Sequence, residues 1–203
     1  KYLFEISLDK FIRTGCYRKI VLVVNPEYVE WVKNRISNNY PGKLGRLITV
    51  IPGGDTAQHS RILGFESLLT DEESLWPNTV TFHDFLRVVF DENLLTFMIN
   101  NCRFNSTAYV PYIPATGTLR LDSDKVVYTK DKYMRLQTPM VFPFYQFYGC
   151  YNKAKDKGIE YQTASDLYED NSGLVNYVMG NRLNFKVTFA EDIDVVRLLY
   201  NHE

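Results

Sequence analysis

Residues 19–38 read KIVLVVNPEYVEWVKNRISN, and the change of rhythm inside them decides the fold. KIVLVV is an unbroken run of apolar, mostly β-branched residues, the pattern of a strand buried on both faces of a sheet. Asn25-Pro26 then breaks it. Asparagine is a good helix cap and proline is tolerated in the first turn, so a helix should run through about Asn38, with Val29, Val32 and Ile36 on its apolar stripe.

The same alternation extends outward in both directions. Residues 4–14 (FEISLDKFIRT) put Phe4, Leu8, Phe11 and Ile12 on one helical stripe, and Gly15 stops it. Residues 47–51 read as a second strand, Pro52-Gly53-Gly54-Asp55 as a tight turn, and residues 60–69 as a helix. A third strand at 79–82 and a helix at 91–101 come next. Strand–helix alternation at this spacing predicts an α/β fold, Rossmann-like and doubly wound, on a mostly parallel sheet. After Tyr109 the rhythm changes: residues 110–139 alternate polar and apolar side chains, with turn signals at Gly117 and Asp122-Ser123-Asp124. That stretch reads as an antiparallel arm and not as another βα unit. Helices at 142–157 and 163–170, strands at 174–179 and 184–188, and a closing helix at 190–200 complete the chain; Glu191 and Asp192 suit the positive end of that last helix. With no repeats, linkers or low-complexity tracts, residues 1–203 form one domain.

Bulk properties exclude several classes of function. A net charge of −1 gives no reason to expect a nucleic-acid or membrane-surface partner. The aromatic content of 15% reads as packing before base stacking. Cys16, Cys102 and Cys150 are odd in number, far apart and form no CxxC, which argues for reduced thiols in a cytoplasmic protein and against a zinc site. No apolar run is long enough to span a membrane.

Candidate chemistry gathers at residues 79–88, TVTFHDFLRV. A hydrophobic strand ending on Asp84 delivers a carboxylate to the C-terminal edge of a parallel sheet, where open α/β folds bind ligands. Asp84 is placed like a metal or phosphate-site ligand and Arg87 like a phosphate clamp, although Asp84 could equally cap the turn after the strand. His83 reads as a structural hydrogen-bond donor. The three histidines have no nucleophile at a spacing that would suggest a hydrolase. Gly53-Gly54-Asp55 with Ser60 is a glycine turn feeding a helix; glycines let backbone approach a ligand, but the motif also fits a plain tight turn. Lys186, between Phe185 and Val187, is costly near the end of a sheet unless it meets an anion; an exposed edge strand would also tolerate it.

Taken in order, these segments resemble the cytidylyltransferases that make CDP-activated polyols, the enzymes acting on 2-C-methyl-D-erythritol 4-phosphate and on ribitol 5-phosphate. KYLFEISLDKF resembles the family's KPLI-x-HTL-x-x-F helix, and IPGGDTAQHSRILGFESL its GG-x-x-R-x-x-S-V-x-x-GL segment. HDFLRV falls on HDAARP, PATGTLR on PVxDTxK, QTPM on QTPQ, and NFKVT on NIKVT. The resemblance implies that CMP passes from CTP to a polyol phosphate, with Mg²⁺ bridging the phosphates and pyrophosphate leaving. It also implies roles for residues. Lys186, Asp84 and Arg87 would serve catalysis, with Asp84 toward the metal or the ribose. Gly53, Gly54, Asp55 and Ser60 would belong to the nucleotide site. Thr118, Lys130, Thr138 and Thr188 would belong to the substrate site. The arm, about residues 116–136, would hook around a second subunit and carry Lys130, which stands for an arginine, into the partner's site. The resemblance therefore implies a homodimer.

Departures accompany the match. Ala57 replaces the arginine of the GG segment, Gly117 an aspartate, and Val88 a proline; Thr163-Ala164 stands where Asp-Glu is common. The family's glycine-rich LAAGxGxRM loop, which grips the triphosphate, belongs immediately before Lys1. The expectation is therefore that this segment alone does not turn over. Two other readings stay open: a catalytically impaired relative acting as a binding or scaffolding module, and a nucleotidyltransferase using another NTP and a sugar phosphate.

Overall fold

The structure, a computed structural model, describes residues 1–70, 72–116, 119–120, 127–128 and 133–200. Helix α1 (Leu3–Thr14) is the expected amphipathic segment, closed by Gly15 in the left-handed region at φ 64°. Its stripe faces two cores at once. Leu8 packs with Val32, Ile36, Tyr40 and Ile48, while Phe11 packs with Phe90, Leu95, Met98 and Val141.

Strand β1 (Ile20–Val24) lies parallel to β2 (Ile48–Pro52), paired from Ile20↔Ile48 to Val24↔Pro52. Asn25 is a cap as expected, but its Oδ1 accepts from Glu27 N at the head of a single 3₁₀ turn, Pro26–Tyr28, and α2 (Val29–Asn39) begins only after that turn. A short helix α3 (Lys43–Leu47) precedes β2, so the strand begins one residue later than its sequence suggests. Helix α4 (Ala57–Glu66) starts three residues earlier than expected because Thr56 caps it, accepting from His59 N at 3.0 Å.

Strand β3 (Thr79–Phe82) runs antiparallel to β8 (Met140–Pro143), and β8 runs antiparallel to β4 (Ala108–Pro114). Helix α5 (Glu92–Asn105) links β3 to β4. Since β3 and β4 both oppose β8, they point the same way, and β9 (Val175–Met179) joins β4 in parallel. This is an α/β fold whose parallel strands include β4 and β9, with the reversed strand β8 set between β3 and β4. Strands β5 (Leu119–Arg120) and β6 (Val127–Tyr128) pair antiparallel, and β7 (Met134–Leu136) pairs antiparallel with β4.

Three local expectations fail here. Residues 110–114 belong to β4 of the main sheet and not to the arm. Residues 140–143 are a fully buried strand, so α6 starts at Phe144 and runs to Lys157. Residues 184–188 are not a strand: among the described residues their backbone bond to a distant segment is Val187 N to Leu86 O at 2.9 Å, and Asn184 is engaged by side chains. Helices α7 (Ala164–Asp170) and α8 (Ala190–Tyr200) stand close to where the pattern put them.

Much of the aromatic excess is packing, although side chains such as Phe104 and Phe189 are exposed. Phe65 meets Phe144 and Phe147 at ring-centroid distances of 5.1 and 5.0 Å, within a core that includes Trp76, Phe142, Tyr151 and Tyr168. All three cysteines are free thiols. Among the described residues, no helix is long and apolar enough to cross a membrane.

Candidate active site

Strand β3 ends at Phe82, and the chain turns at once through His83-Asp84. Asp84 builds that turn itself: its carbonyl accepts from Arg87 N at 2.9 Å and its Oδ1 from Leu86 N at 3.1 Å. Its second carboxylate oxygen is left to face outward, where Lys186 Nζ meets Oδ2 at 2.7 Å. Turn cap and charged site are thus one residue. The pair is open to solvent, with 48% of the lysine side chain and 29% of the aspartate side chain exposed. Lys186 is held by its neighbour, since Val187 is buried and donates its N–H to Leu86 O.

Beneath this pair lies a polar frame that only the tertiary structure assembles. Gln137 is 2% exposed; its Nε2 donates to Asn181 O at 2.8 Å and Asn184 O at 2.9 Å, and its Oε1 accepts from Asn181 N. Gly180 permits that approach, because a Cβ there would stand 2.1 Å from Gln137 Oε1. Asn184 Nδ2 donates to Thr138 O at 2.9 Å, while its Oδ1 is buried with no hydrogen-bond partner among the described residues. Arg87 turns inward and gives Nη1 to Asn184 O at 2.8 Å and Nη2 to Leu136 O. Burial lowers its pKa, Asp84 works against that, and Arg135 adds to it. Arg87 therefore ties the loop before Lys186 to the end of β7.

Thr138 completes the cluster. Its Oγ1 accepts from Asp84 N at 3.1 Å and lies 3.1 Å from His83 Nδ1. Burial pushes the His83 imidazole down to about 3, so the ring is neutral. His83 Nε2 is shielded from solvent and has no hydrogen-bond partner among the described residues, with the rings of Phe11 and Phe90 edge to face against the imidazole at 5.0 and 4.8 Å.

The other expected site residues divide. Gly53, Gly54 and Ser60 form their own turn at the end of β2: Gly53 N donates to Val24 O at 2.7 Å, and Gly54 N to Ser60 Oγ at 3.1 Å. A Cβ on Gly54 would come within 2.2 Å of His59 Nδ1, so the second glycine is a steric requirement. Asp55 comes next in the same turn, and none of these residues is hydrogen-bonded to the Asp84 cluster. Thr188 donates its N–H to Asp192 Oδ2 at 2.8 Å and its hydroxyl to Lys186 O, which anchors the start of α8 two residues past the lysine. Thr118 and Lys130 lie outside the described residues. Sequence reasoning noticed the QTP and NFKVT segments but did not single out Gln137 or Asn184. A glutamine and an asparagine carry no charge signal, and only their burial marks them.

Among the described residues no three His, Cys, Asp or Glu side chains gather as a metal cage. One half-buried carboxylate, Asp84, is nonetheless what Mg²⁺ commonly uses, since that ion is often held by one or two carboxylates together with substrate phosphates.

The profile of the family described as "IspD: 2-C-methyl-D-erythritol 4-phosphate cytidylyltransferase" matches residues 1–200. The bifunctional enzyme IspD/IspF of Wolbachia pipientis wMel is 28% identical over 201 residues, which is 96% of this chain and 47% of that protein. The chain spans about half the length of such bifunctional relatives. The 2-C-methyl-D-erythritol 4-phosphate cytidylyltransferase of Solibacter usitatus is 25% identical over 204 residues, covering 97% of this chain and 80% of that one. Among solved structures, a 4-diphosphocytidyl-2C-methyl-D-erythritol synthase from Anaerococcus prevotii superposes with a TM-score of 0.82 at 26% identity, over 99% of this chain and 86% of that one. A 2-C-methyl-D-erythritol 4-phosphate cytidylyltransferase from Thermus thermophilus superposes at 0.75 with 22% identity, over 97% of this chain and 87% of that one, a likeness of fold.

Proposed function

Because this chain belongs to the 2-C-methyl-D-erythritol 4-phosphate cytidylyltransferase family, we propose that it transfers CMP from CTP to 2-C-methyl-D-erythritol 4-phosphate. A phosphate oxygen of the polyol attacks the α-phosphorus of CTP in line, the bond to the β-phosphate oxygen breaks, and pyrophosphate leaves. Such chemistry needs positioning and charge neutralisation more than a strong base.

The observation that carries the reading is the exposed Lys186–Asp84 pair at 2.7 Å, set at the end of β3 on a buried polar frame. Each member of the pair can exchange the other for a ligand of the same charge. An incoming phosphate competes with Asp84 for the Lys186 ammonium, and Lys186 then stabilises the negative charge on the α-phosphoryl oxygens. Asp84 Oδ2, released by that exchange, is the group that would hold Mg²⁺; when bound, the ion supplies neutralisation of the triphosphate. Oδ1 stays committed to the turn through Leu86 N, so the exchange leaves the turn in place. The glycine turn at Gly53-Gly54 with Ser60 serves the nucleotide, and Thr118, Lys130, Thr138 and Thr188 serve the polyol phosphate. The arm near residues 116–136 pairs two copies, so that Lys130 works in the partner's site.

The test is pyrophosphate release by the full-length protein with CTP, Mg²⁺ and either 2-C-methyl-D-erythritol 4-phosphate or ribitol 5-phosphate. Release with the erythritol compound, lowered about 100-fold or more in Asp84→Asn and in Lys186→Ala, is expected. Release with ribitol 5-phosphate alone, or CTP binding without release from either acceptor, would overturn the assignment.

A further inference from the structure

We propose that Asn184 is a positioning residue for this reaction: its side-chain amide ties the segment carrying Lys186 to Thr138, the residue that also holds Asp84, and so sets the two charged groups in register. The inference rests on the cytidylyl-transfer reading of the Asp84–Lys186 site and adds to it a residue hydrogen-bonded to neither member of the pair.

Lys186 cannot place its own ammonium. Its side chain is exposed and stands on a flexible four-carbon stem, so the position of Nζ depends on how the main chain is held on either side. After the lysine, Val187 N donates to Leu86 O at 2.9 Å, inside the turn that Asp84 builds. Two residues before it stands Asn184, which is 4% exposed. Asn184 N donates to Asn181 O at 3.0 Å, and its O accepts from Gln137 Nε2 and Arg87 Nη1 at 2.9 and 2.8 Å. Its Nδ2 donates to Thr138 O at 2.9 Å. A main-chain carbonyl only accepts, so the end of the amide that faces Thr138 is the nitrogen. The other end, Oδ1, is shielded from solvent with no hydrogen-bond partner among the described residues. Leucine has nearly the same shape and would bury no unpaired oxygen, so what the amide brings to this place is the bond from its nitrogen.

Thr138 makes that bond matter to the site. Its carbonyl takes the Asn184 amide hydrogen, while its Oγ1 takes the Asp84 N–H at 3.1 Å. The contact of Oγ1 with His83 Nδ1 leaves both bonds in place, whichever of those two atoms carries the hydrogen. One residue thus holds the start of the Asp84 turn by its side chain and the approach to Lys186 by its main chain. Gln137 and Arg87 hold the same approach by the Asn184 carbonyl, which is a single point of attachment. A chain held at one atom can pivot about it; the bond from Nδ2 is the second point that stops the rotation. Without it the segment stays attached but turns, and Lys186 Nζ leaves its place opposite Asp84.

The test uses the full-length protein with CTP, Mg²⁺ and 2-C-methyl-D-erythritol 4-phosphate. Asn184→Leu and Asn184→Asp both keep the shape of the side chain and remove its N–H. In each, kcat per folded molecule should fall about 10- to 100-fold, the cost of a small misplacement, with KM for CTP changed far less. The double variant Asn184→Leu/Lys186→Ala should be no slower than Lys186→Ala alone, because a residue acting through the lysine adds nothing once the lysine is gone. An unaltered kcat in either single variant, or losses that multiply in the double variant, would overturn the proposal. Crystal structures give a readout independent of turnover: the Lys186 Nζ–Asp84 Oδ2 distance of 2.7 Å should open in Asn184→Leu, and an unchanged pair refutes the inference. A through-bond NMR coupling from Asn184 Nδ2 to the Thr138 carbonyl carbon needs no variant to fold; it is expected in the wild type, and its absence also refutes the inference. A wild type that shows the coupling but releases no pyrophosphate would instead count against the cytidylyl-transfer reading alone.

Discussion

Gln137 shows how much of the site depends on an uncharged side chain. It is almost fully buried, it satisfies the carbonyls of Asn181 and Asn184, and it takes the Asn181 N–H in return. Removing one partner of such a set leaves the others desolvated and unpaired, at roughly 1–3 kcal/mol for each buried group. Gln137→Ala should therefore lower unfolding stability by about 2–3 kcal/mol, read from the denaturation midpoint in urea at unchanged slope. Lys186 itself is exposed, so Lys186→Ala should leave that midpoint nearly where it is while removing activity. The contrast separates the frame from the chemistry it supports.

At the scale of elements, α1 and α7 show two ways of holding a helix start. Glu5 is 2% exposed at the head of α1, where its carboxylate accepts from Tyr2 N, Arg35 Nε and Asn39 Nδ2 at 2.9, 2.8 and 2.7 Å. Burial alone would raise its pKa, but the bonds from Arg35, the Tyr2 backbone and Asn39 outweigh it and bring it below the usual 4.5. A carboxylate held below its unfolded value adds stability that is complete above that value and is lost as pH falls through the folded one. The stability gap between wild type and Glu5→Gln should thus be largest near neutrality and shrink as pH drops below 4.5, as thermal unfolding across that range would reveal. At α7 the helix begins with a capping box, Thr163 Oγ1 accepting from Asp166 N at 3.0 Å and Asp166 accepting from Thr163 N at 3.1 Å. Thr163, a departure from the family's acidic pair, keeps the helix start by this other means. Thr163→Ala should cost about 1 kcal/mol, visible as a lowered melting temperature.

For the whole molecule, β1–β2 and the sheet of β3, β4, β7, β8 and β9 share no ladder, and α1 bridges them by burying Leu8 on one side and Phe11 on the other. Tyr17 adds a polar tie, its hydroxyl meeting Thr81 Oγ1 at 3.1 Å. The proposed homodimer belongs to this scale as well. If Lys130 completes the partner's site while Asp84 serves its own, Asp84→Ala and Lys130→Ala proteins are each inactive but complement one another. After unfolding and refolding together in equal amounts, about half of the dimers are mixed and each has one intact site, which restores about a quarter of the wild-type rate. No recovery in the mixture, with dimers present by sedimentation, would mean that the two residues serve the same subunit's site or none.

Local rules fixed the features that depend on neighbours in the chain. The strand at 20–24, although only half-buried where its apolar run suggested burial on both faces, the stripes of α1 and α2, the left-handed stop at Gly15 and the placing of Asp84 at the end of β3 were all legible, because apolar period, glycine freedom and strand length act within a few residues. Strand β8 was not, since its four residues lead straight into the aromatic start of α6 and periodicity cannot tell a short buried strand from a helix start. Nor was the fate of residues 184–188, where Arg87 and Gln137 take the Asn184 carbonyl from far along the sequence. The pairing of Lys186 with Asp84, the frame of Gln137 and Asn184, and the contact of Thr138 with His83 all join residues dozens of positions apart. Sequence supplied the charged groups; three-dimensional packing decided which of them meet, because burial and hydrogen-bond satisfaction are settled between elements and not along them.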